Sequence, residues 1–206
     1  MTNLIYSDWL TAQFSWSFIS CDPKLWDLLH SLPDDFAAPA WSTLLIDARG
    51  ALPHVGTAVV LAATALEVLI AELLTKLAAQ STLPKKLWSW VNDRGDWQKE
   101  PSVDEQYSVL LEVLTGHSLK EDNGLWEGLK NIRNARNSFV HEGCARIGRN
   151  PVTNEDVAAL IQKADLIAAK IREWLPENLR WPVFDHTVKL EVGKIILSNP
   201  PETPAQ

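Results

Sequence analysis

Cysteine is nearly absent from this chain: Cys21 and Cys144 are the two in 206 residues. They are too few and too far apart for a disulfide framework or a zinc site, and a reducing, cytoplasmic compartment is the expectation. No HExxH or Cys-His ligand spacing surrounds the isolated His54, His117 and His186, so neither a metal nor another cofactor is expected. The glycine-rich phosphate loop, the GxSxG elbow and the dinucleotide fingerprint are missing too, which speaks against nucleotide hydrolysis, esterase and hydride-transfer chemistry. Positive charge is scarce: 19 Lys and Arg face 26 Asp and Glu, a formal net charge of −7. That balance argues against a wholly basic nucleic-acid binder and leaves room for a local patch. The most apolar run, Thr57 to Leu77, is broken by Glu67, Glu72 and Lys76, as suits a buried helix better than a membrane span. The N-terminal MTNLIYSDWL has no basic cluster ahead of an apolar core, so it is not expected to be a signal peptide, and no membrane partner is expected.

What is present is an ordinary globular composition, 46% apolar and 22% charged, enough to bury a full core. The fold class expected is mainly α, an antiparallel helical bundle with short β elements at its two ends. Three segments are expected: an N-terminal extension over 1–39, a helical bundle over 40–176, and a C-terminal extension over 177–206. In QFSWSFIS, Phe14, Trp16 and Phe18 alternate with serines, a strand-like period of two, and TVKLEVGKIIL is a candidate strand to pair with it. WSTLLIDAR reads as a short helix stopped by Gly50 and Pro53. TAVVLAATALEVLIAELLTKLAAQ reads as a central helix of roughly six turns. STLPKKLWSWVNDRGDWQKEPS interrupts the helices with only short local structure. Asp104 precedes another short helix, EQYSVLLEVLTG. A long helix begins between Glu121 and Gly124, presents Leu125, Leu129, Ile132, Phe139 and Val140 as its apolar face, and stops at Gly143. The last helix opens with Thr153 and Asp156 as a capping box and runs to Pro176.

The last but one of these long helices carries RNARNSFVHEG, Arg133 to Gly143. Between Lys130 and Arg149 the bases Lys130, Arg133, Arg136, Arg146 and Arg149 face the single acid Glu142, a local reversal of sign. At 100° per residue Arg133, Asn137 and His141 drift along one stripe with Arg136 on its flank, so these groups are expected to converge on one ligand. A phosphodiester suits them. Arg136 or Arg133 can hold a non-bridging oxygen, Asn137 can fix orientation, and the His141 imidazole can move a proton near neutral pH. RNA supplies its own nucleophile, the 2′-hydroxyl, so such a set can cleave it without a metal. The plainer reading is a solvated helix end whose histidine complements the helix dipole.

The run IRNARNSFVHEG resembles the signature of the HEPN superfamily (higher eukaryotes and prokaryotes nucleotide-binding), with Arg136, Asn137 and His141 in the positions of the arginine, the polar residue and the histidine. ATALEVLIAELL is similar to the helix that precedes the motif helix in many of its members. The resemblance covers roughly residues 41–175. It implies a helical bundle, a homodimer with the motifs facing each other, and a metal-independent endoribonuclease with Arg136, Asn137 and His141 catalytic. Lys130, Arg133 and Arg146 would then add substrate affinity. It implies RNA as substrate and a toxin or phage-defence role under an antitoxin or another regulatory protein. Members without catalysis imply the alternative, a dimeric module that binds RNA or a partner.

Glu67 is a candidate to orient Arg136 or His141 from the neighbouring helix, though a glutamate there also reads as a surface residue. A purely structural alternative pairs the basic stripe with Glu67 or Glu72. Cys144, three residues beyond His141, reads as a small helix-end residue. Trp88, Trp90 and Trp97 beside Lys85, Lys86 and Arg94 can stack on bases, but core anchoring is the stronger expectation.

Overall fold

The computed structural model describes residues 14–19, 23–92, 100–182 and 190–195, and they form a mainly helical chain with short strands. In order these are β1 (Phe14–Ile19), α1 (Pro23–His30), α2 (Ala40–Gly50), α3 (Val55–Gln80) and α4 (Lys85–Asn92). Next comes a helix in three parts, α5 (Val103–Glu105), a π-helical Gln106–Leu110 and α6 (Leu111–Thr115). A 3-10 turn, Leu119–Glu121, leads into α7 (Asn123–Glu142), followed by β2 (Arg146–Ile147), β3 (Asn150–Pro151) and α8 (Asn154–Trp174). A second 3-10 turn, Glu177–Leu179, and β4 (Leu190–Ile195) complete the order. Expectations for Cys21, Arg94, Trp97, His186 and the tail after Ile195 fall outside the described residues.

The chain divides into two compact units, one drawn from Met1–Phe36 and Val183–Gln206, the other Ala37–Pro182. In the first, β1 and β4 pair antiparallel, with Phe14 opposite Ile195 and Ile19 opposite Leu190. The two period-two stretches of the sequence are thus each other's partners. His30 ends α1, its ring edge-on to Trp26 at 4.5 Å.

The second unit is built around α3. Twelve of its side chains are buried, from Ala58 and Val59 to Leu77 and Ala78, and it packs against α2, α7, α8 and the π-containing helix. It is long and apolar enough to cross a membrane, and 56% of its most apolar stretch is buried within the protein. Ala58, Ala62 and Ala65, at spacings of four and three, are buried on one side of it. The helical unit continues past Pro176: Trp181 sits edge-on to Trp41 at 5.1 Å, and the Arg172 Nε–H donates to the Trp181 carbonyl at 2.6 Å.

Local stop and start signals explain most boundaries. Thr153 Oγ1 accepts from the Asp156 N–H at 3.2 Å while Asp156 accepts from the Thr153 N–H at 2.9 Å, the expected capping box. A second box opens α5 at Ser102, two residues before Asp104: Glu105 accepts from the Ser102 N–H at 2.6 Å. Gly116 and Gly143 end their helices at φ of 79° and 73°, a left-handed cap that glycine adopts without steric cost. The stretch from Ser81 to Ser102, expected to hold only short local structure, contains the two-turn α4 among its described residues. Trp88 packs against the core but Trp90 is 55% exposed, so Trp90 is not the core anchor expected of it.

The π-helical stretch buries Tyr107 completely and lets its hydroxyl donate to the Leu66 carbonyl of α3 at 2.7 Å. Burial first, and then the charge of Glu67, hold its pKa well above the ordinary 10.0. Near pH 10 the unfolded chain releases this proton while the folded chain keeps it. Its contribution is therefore intact below that pH and is lost as pH rises further. Thermal stability is expected to fall between about pH 9 and about pH 11. Tyr107→Phe is expected to flatten that slope while costing about 1 kcal/mol at neutral pH; equal slopes for parent and variant would contradict the assignment.

Candidate active site

α7 is anchored at both ends. Asp122 caps its start, Oδ1 accepting from the Leu125 N–H at 3.0 Å, and the Gly143 N–H closes its end on the Phe139 carbonyl at 2.8 Å. Leu125, Gly128, Leu129, Ile132 and Ala135 are buried. Gly128 lies against the Lys163 side chain of α8, and the Phe139 ring lies directly on Gly56 of α3, where a Cβ would overlap it. That last contact fixes the turn that carries Asn137 and His141.

The buried positions shift the apolar face relative to the expected one. Its centre falls between Gly128 and Ile132, about 90° from Val140 at 100° per residue, and Val140 is 53% exposed. The same geometry puts the Cα of Arg136 only about 50° from that centre. Arg136 is accordingly half-buried, its Nε is buried with no hydrogen-bond partner, and the guanidinium end turns outward so that Nη1 donates to Asn137 Oδ1 at 3.1 Å. His141 lies on the opposite, exposed side, about 140° round the helix from Arg136. Among the described residues it makes no hydrogen bond or ion pair.

The expected convergence is thus partial. Arg136 and Asn137 meet, and His141 shares an exposed surface with Asn134, Asn137 and Val140. Arg133 instead forms an ion pair with Asp104 at the start of α5, and Lys130 is held by Glu127 at 2.9 Å. Arg146 Nε faces Glu142 at 3.7 Å. Of the five bases, Arg136 and Arg149 alone have no carboxylate partner among the described residues. The positive excess counted along the sequence is therefore halved in space by Glu127 and Asp104, which lie outside the stretch. Glu67 makes no hydrogen bond or ion pair with Arg136 or His141 among the described residues; its charge acts on Tyr107 instead. Neither Glu67 nor Glu72 pairs with the basic stripe.

Sequence reading missed two features. One is Ser138, inside the motif, whose Oγ accepts from the Arg146 N–H at 2.7 Å and donates to the Ala135 carbonyl at 3.0 Å. The other is the β2–β3 hairpin that this bond ties to α7, with Ile147 opposite Asn150 and a Gly148-Arg149 loop. The signal was legible: glycine stands first in the two-residue loop, at a φ of 62°, as a tight hairpin requires. Cys144 is half-buried between Gly143 and this hairpin.

Two clefts of about 390 Å³ open elsewhere. One, beside α3, is lined by Trp41, Leu73, Lys76 and Arg180; the other, between α7 and α8, by Gly128, Asn131, Leu160 and Lys163. Neither is lined by Arg136, Asn137 or His141. The motif lies on an open helix surface, and among the described residues no three His, Cys, Asp or Glu side chains gather to hold a metal.

Fold and site together define a mainly α protein that presents an arginine, an asparagine and a histidine on the last two turns of a core helix. No protein-family model, characterised protein or solved structure matches the chain.

Proposed function

We propose that this chain is a metal-independent endoribonuclease of HEPN type, acting in the cytoplasm as a homodimer. The observation that carries the reading is the state of three motif side chains. His141 is exposed and unengaged among the described residues, while Arg136 is steered outward by Asn137 and keeps guanidinium N–H groups without carboxylate partners. In this reading Arg136 binds a non-bridging oxygen of the scissile phosphate and Asn137 holds the guanidinium in place. His141 moves the proton between the 2′-hydroxyl, the attacking group, and the 5′-oxygen that leaves. The products are a 2′,3′-cyclic phosphate and a 5′-hydroxyl, with no water consumed in that step.

Two facts support a second copy as the missing wall. The Cα atoms of Arg136 and His141 lie about 140° apart round one helix, and the surface between them exposes Val140 among polar neighbours, as suits a small interface. A partner helix can bring its His141 to the first chain's Arg136. Asp104 keeps Arg133 engaged, so Arg133 supports affinity at longer range rather than gripping the phosphate.

Sedimentation analysis of an active preparation tests the composite site. A mass twice the 23.0 kDa of the chain is expected; full activity in a species of single-chain mass would overturn it. Sustained RNA binding without cleavage in any buffer would favour the non-catalytic module instead.

A further inference from the structure

We infer that the β2–β3 hairpin is a second contact for the RNA strand, in which Arg149 binds a backbone phosphate while Arg146 and Ser138 serve only to hold the hairpin in place. The inference rests on the reading of the chain as RNA-acting, and it reassigns the contact expected of Arg146.

The two arginines stand in different situations. Arg146 is half-buried and engaged: its Nη1 donates to the Arg149 carbonyl at 3.3 Å, and its Nε is buried facing Glu142 at 3.7 Å. One of its guanidinium N–H groups is thus given to the hairpin and its charge is answered by Glu142, whereas no carboxylate pairs with Arg136 or Arg149 among the described residues. Arg149, second in the two-residue loop, is exposed and has no carboxylate partner among the described residues. It is therefore the hairpin cation whose charge no carboxylate answers among the described residues.

The hairpin is also fixed next to the motif. The Arg146 N–H is held by Ser138 of α7 at 2.7 Å, and the Val152 N–H donates to the Ala145 carbonyl at 3.0 Å. Ile147 and Val152 pack against the core. A two-residue loop leaves little backbone freedom to lose on binding, so Arg149 is presented at low entropic cost. Ser138 follows Asn137 directly, so one helical turn both carries the proposed chemistry and positions the flanking contact. A phosphodiester strand is the ligand of matching charge, and its binding depends on salt through each phosphate neutralised.

The test is fluorescence anisotropy of a 2′-O-methyl RNA oligonucleotide, which binds but cannot be cut, titrated with the full chain over a series of salt concentrations. Arg149→Gln is expected to weaken binding about tenfold and to lower the log–log salt slope by about 0.7, with thermal unfolding unchanged. Arg149→Lys is expected to keep the slope. Ser138→Ala is expected to speed hydrogen exchange at the Arg146 amide and weaken binding with the parent's slope, and Ser138→Thr to restore both. Unchanged affinity and slope in Arg149→Gln would overturn the inference, as would failure of the parent to bind. If binding depends on Arg149 while no RNA is cleaved, the endoribonuclease reading fails and this one stands; cleavage with Arg149-independent binding sinks this one alone.

Discussion

Replacing His141 with alanine is expected to slow RNA cleavage by about 10²- to 10⁴-fold, the usual worth of a positioned proton-transfer group, while the protein stays folded. The side chain is exposed and makes no hydrogen bond or ion pair among the described residues, so removing it opens no cavity and orphans no buried donor. The one structural loss is its interaction with the C-terminal end of the α7 dipole, worth about 0.3–1 kcal/mol when the imidazole is charged. Stability and activity should therefore separate cleanly. His141→Gln sharpens the test, because glutamine keeps a polar group in place but cannot exchange a proton: it should be as slow as alanine. Initial rates on a single-stranded RNA, with circular dichroism melting beside them, check both expectations. Near-parental rates in either variant would show that His141 moves no proton in the reaction.

Gly56→Ala carries the largest expected loss of stability, and its sign opposes propensity. In a helix, alanine is favoured over glycine by about 1 kcal/mol, so a reading of α3 by propensity alone predicts stabilisation. The added methyl, however, would overlap the Phe139 ring. Phe139 packs on the core from α7, which is itself packed on α3 and α8, so moving the ring aside gives up core packing and strains the turn that bears Asn137 and His141. Overpacking of this kind costs about 1–3 kcal/mol, or about 2–4 °C of melting temperature per kcal/mol at this chain length. Activity should fall with it, because that turn holds two motif side chains. In a Phe139→Leu background the overlap is relieved and Gly56→Ala is expected to be neutral or mildly stabilising. A double-mutant cycle reads the difference as coupling; equal costs in the two backgrounds would refute the contact.

Elements that rest on local chemistry were legible in the sequence. The Thr153–Asp156 capping box, the glycine stops at Gly116 and Gly143, and the apolar length of α3 each act within a few residues, and each appears as read. The alternation in FSWSFI and LEVGKI even indicated two strands suited to pair. The site was less legible because its state is decided across the fold. Asp104 lies 29 residues before Arg133 and still takes its charge. Glu67, one helix away, answers to Tyr107 rather than to the motif. Val140, counted within the apolar face, is 53% exposed, while Arg136, read as the flank of the polar stripe, stands only about 50° from the buried centre. The true centre is set by Gly128 and Ala135, small residues that mark close helix contacts but weigh little in a hydrophobic count. The hairpin between α7 and α8 was passed over because two-residue strands leave almost no periodicity, although its Gly148 signalled the turn.

The most direct test of the central claim uses a DNA strand holding one ribonucleotide, incubated with the purified chain in EDTA, with the ends of the products identified by mass. The account predicts a single cut on the 3′ side of that ribonucleotide, leaving a 2′,3′-cyclic phosphate, and its loss in an identically purified His141→Ala preparation. An uncut strand, when ordinary single-stranded RNA is also left intact, would contradict it, as would a cut that persists at the same rate without His141.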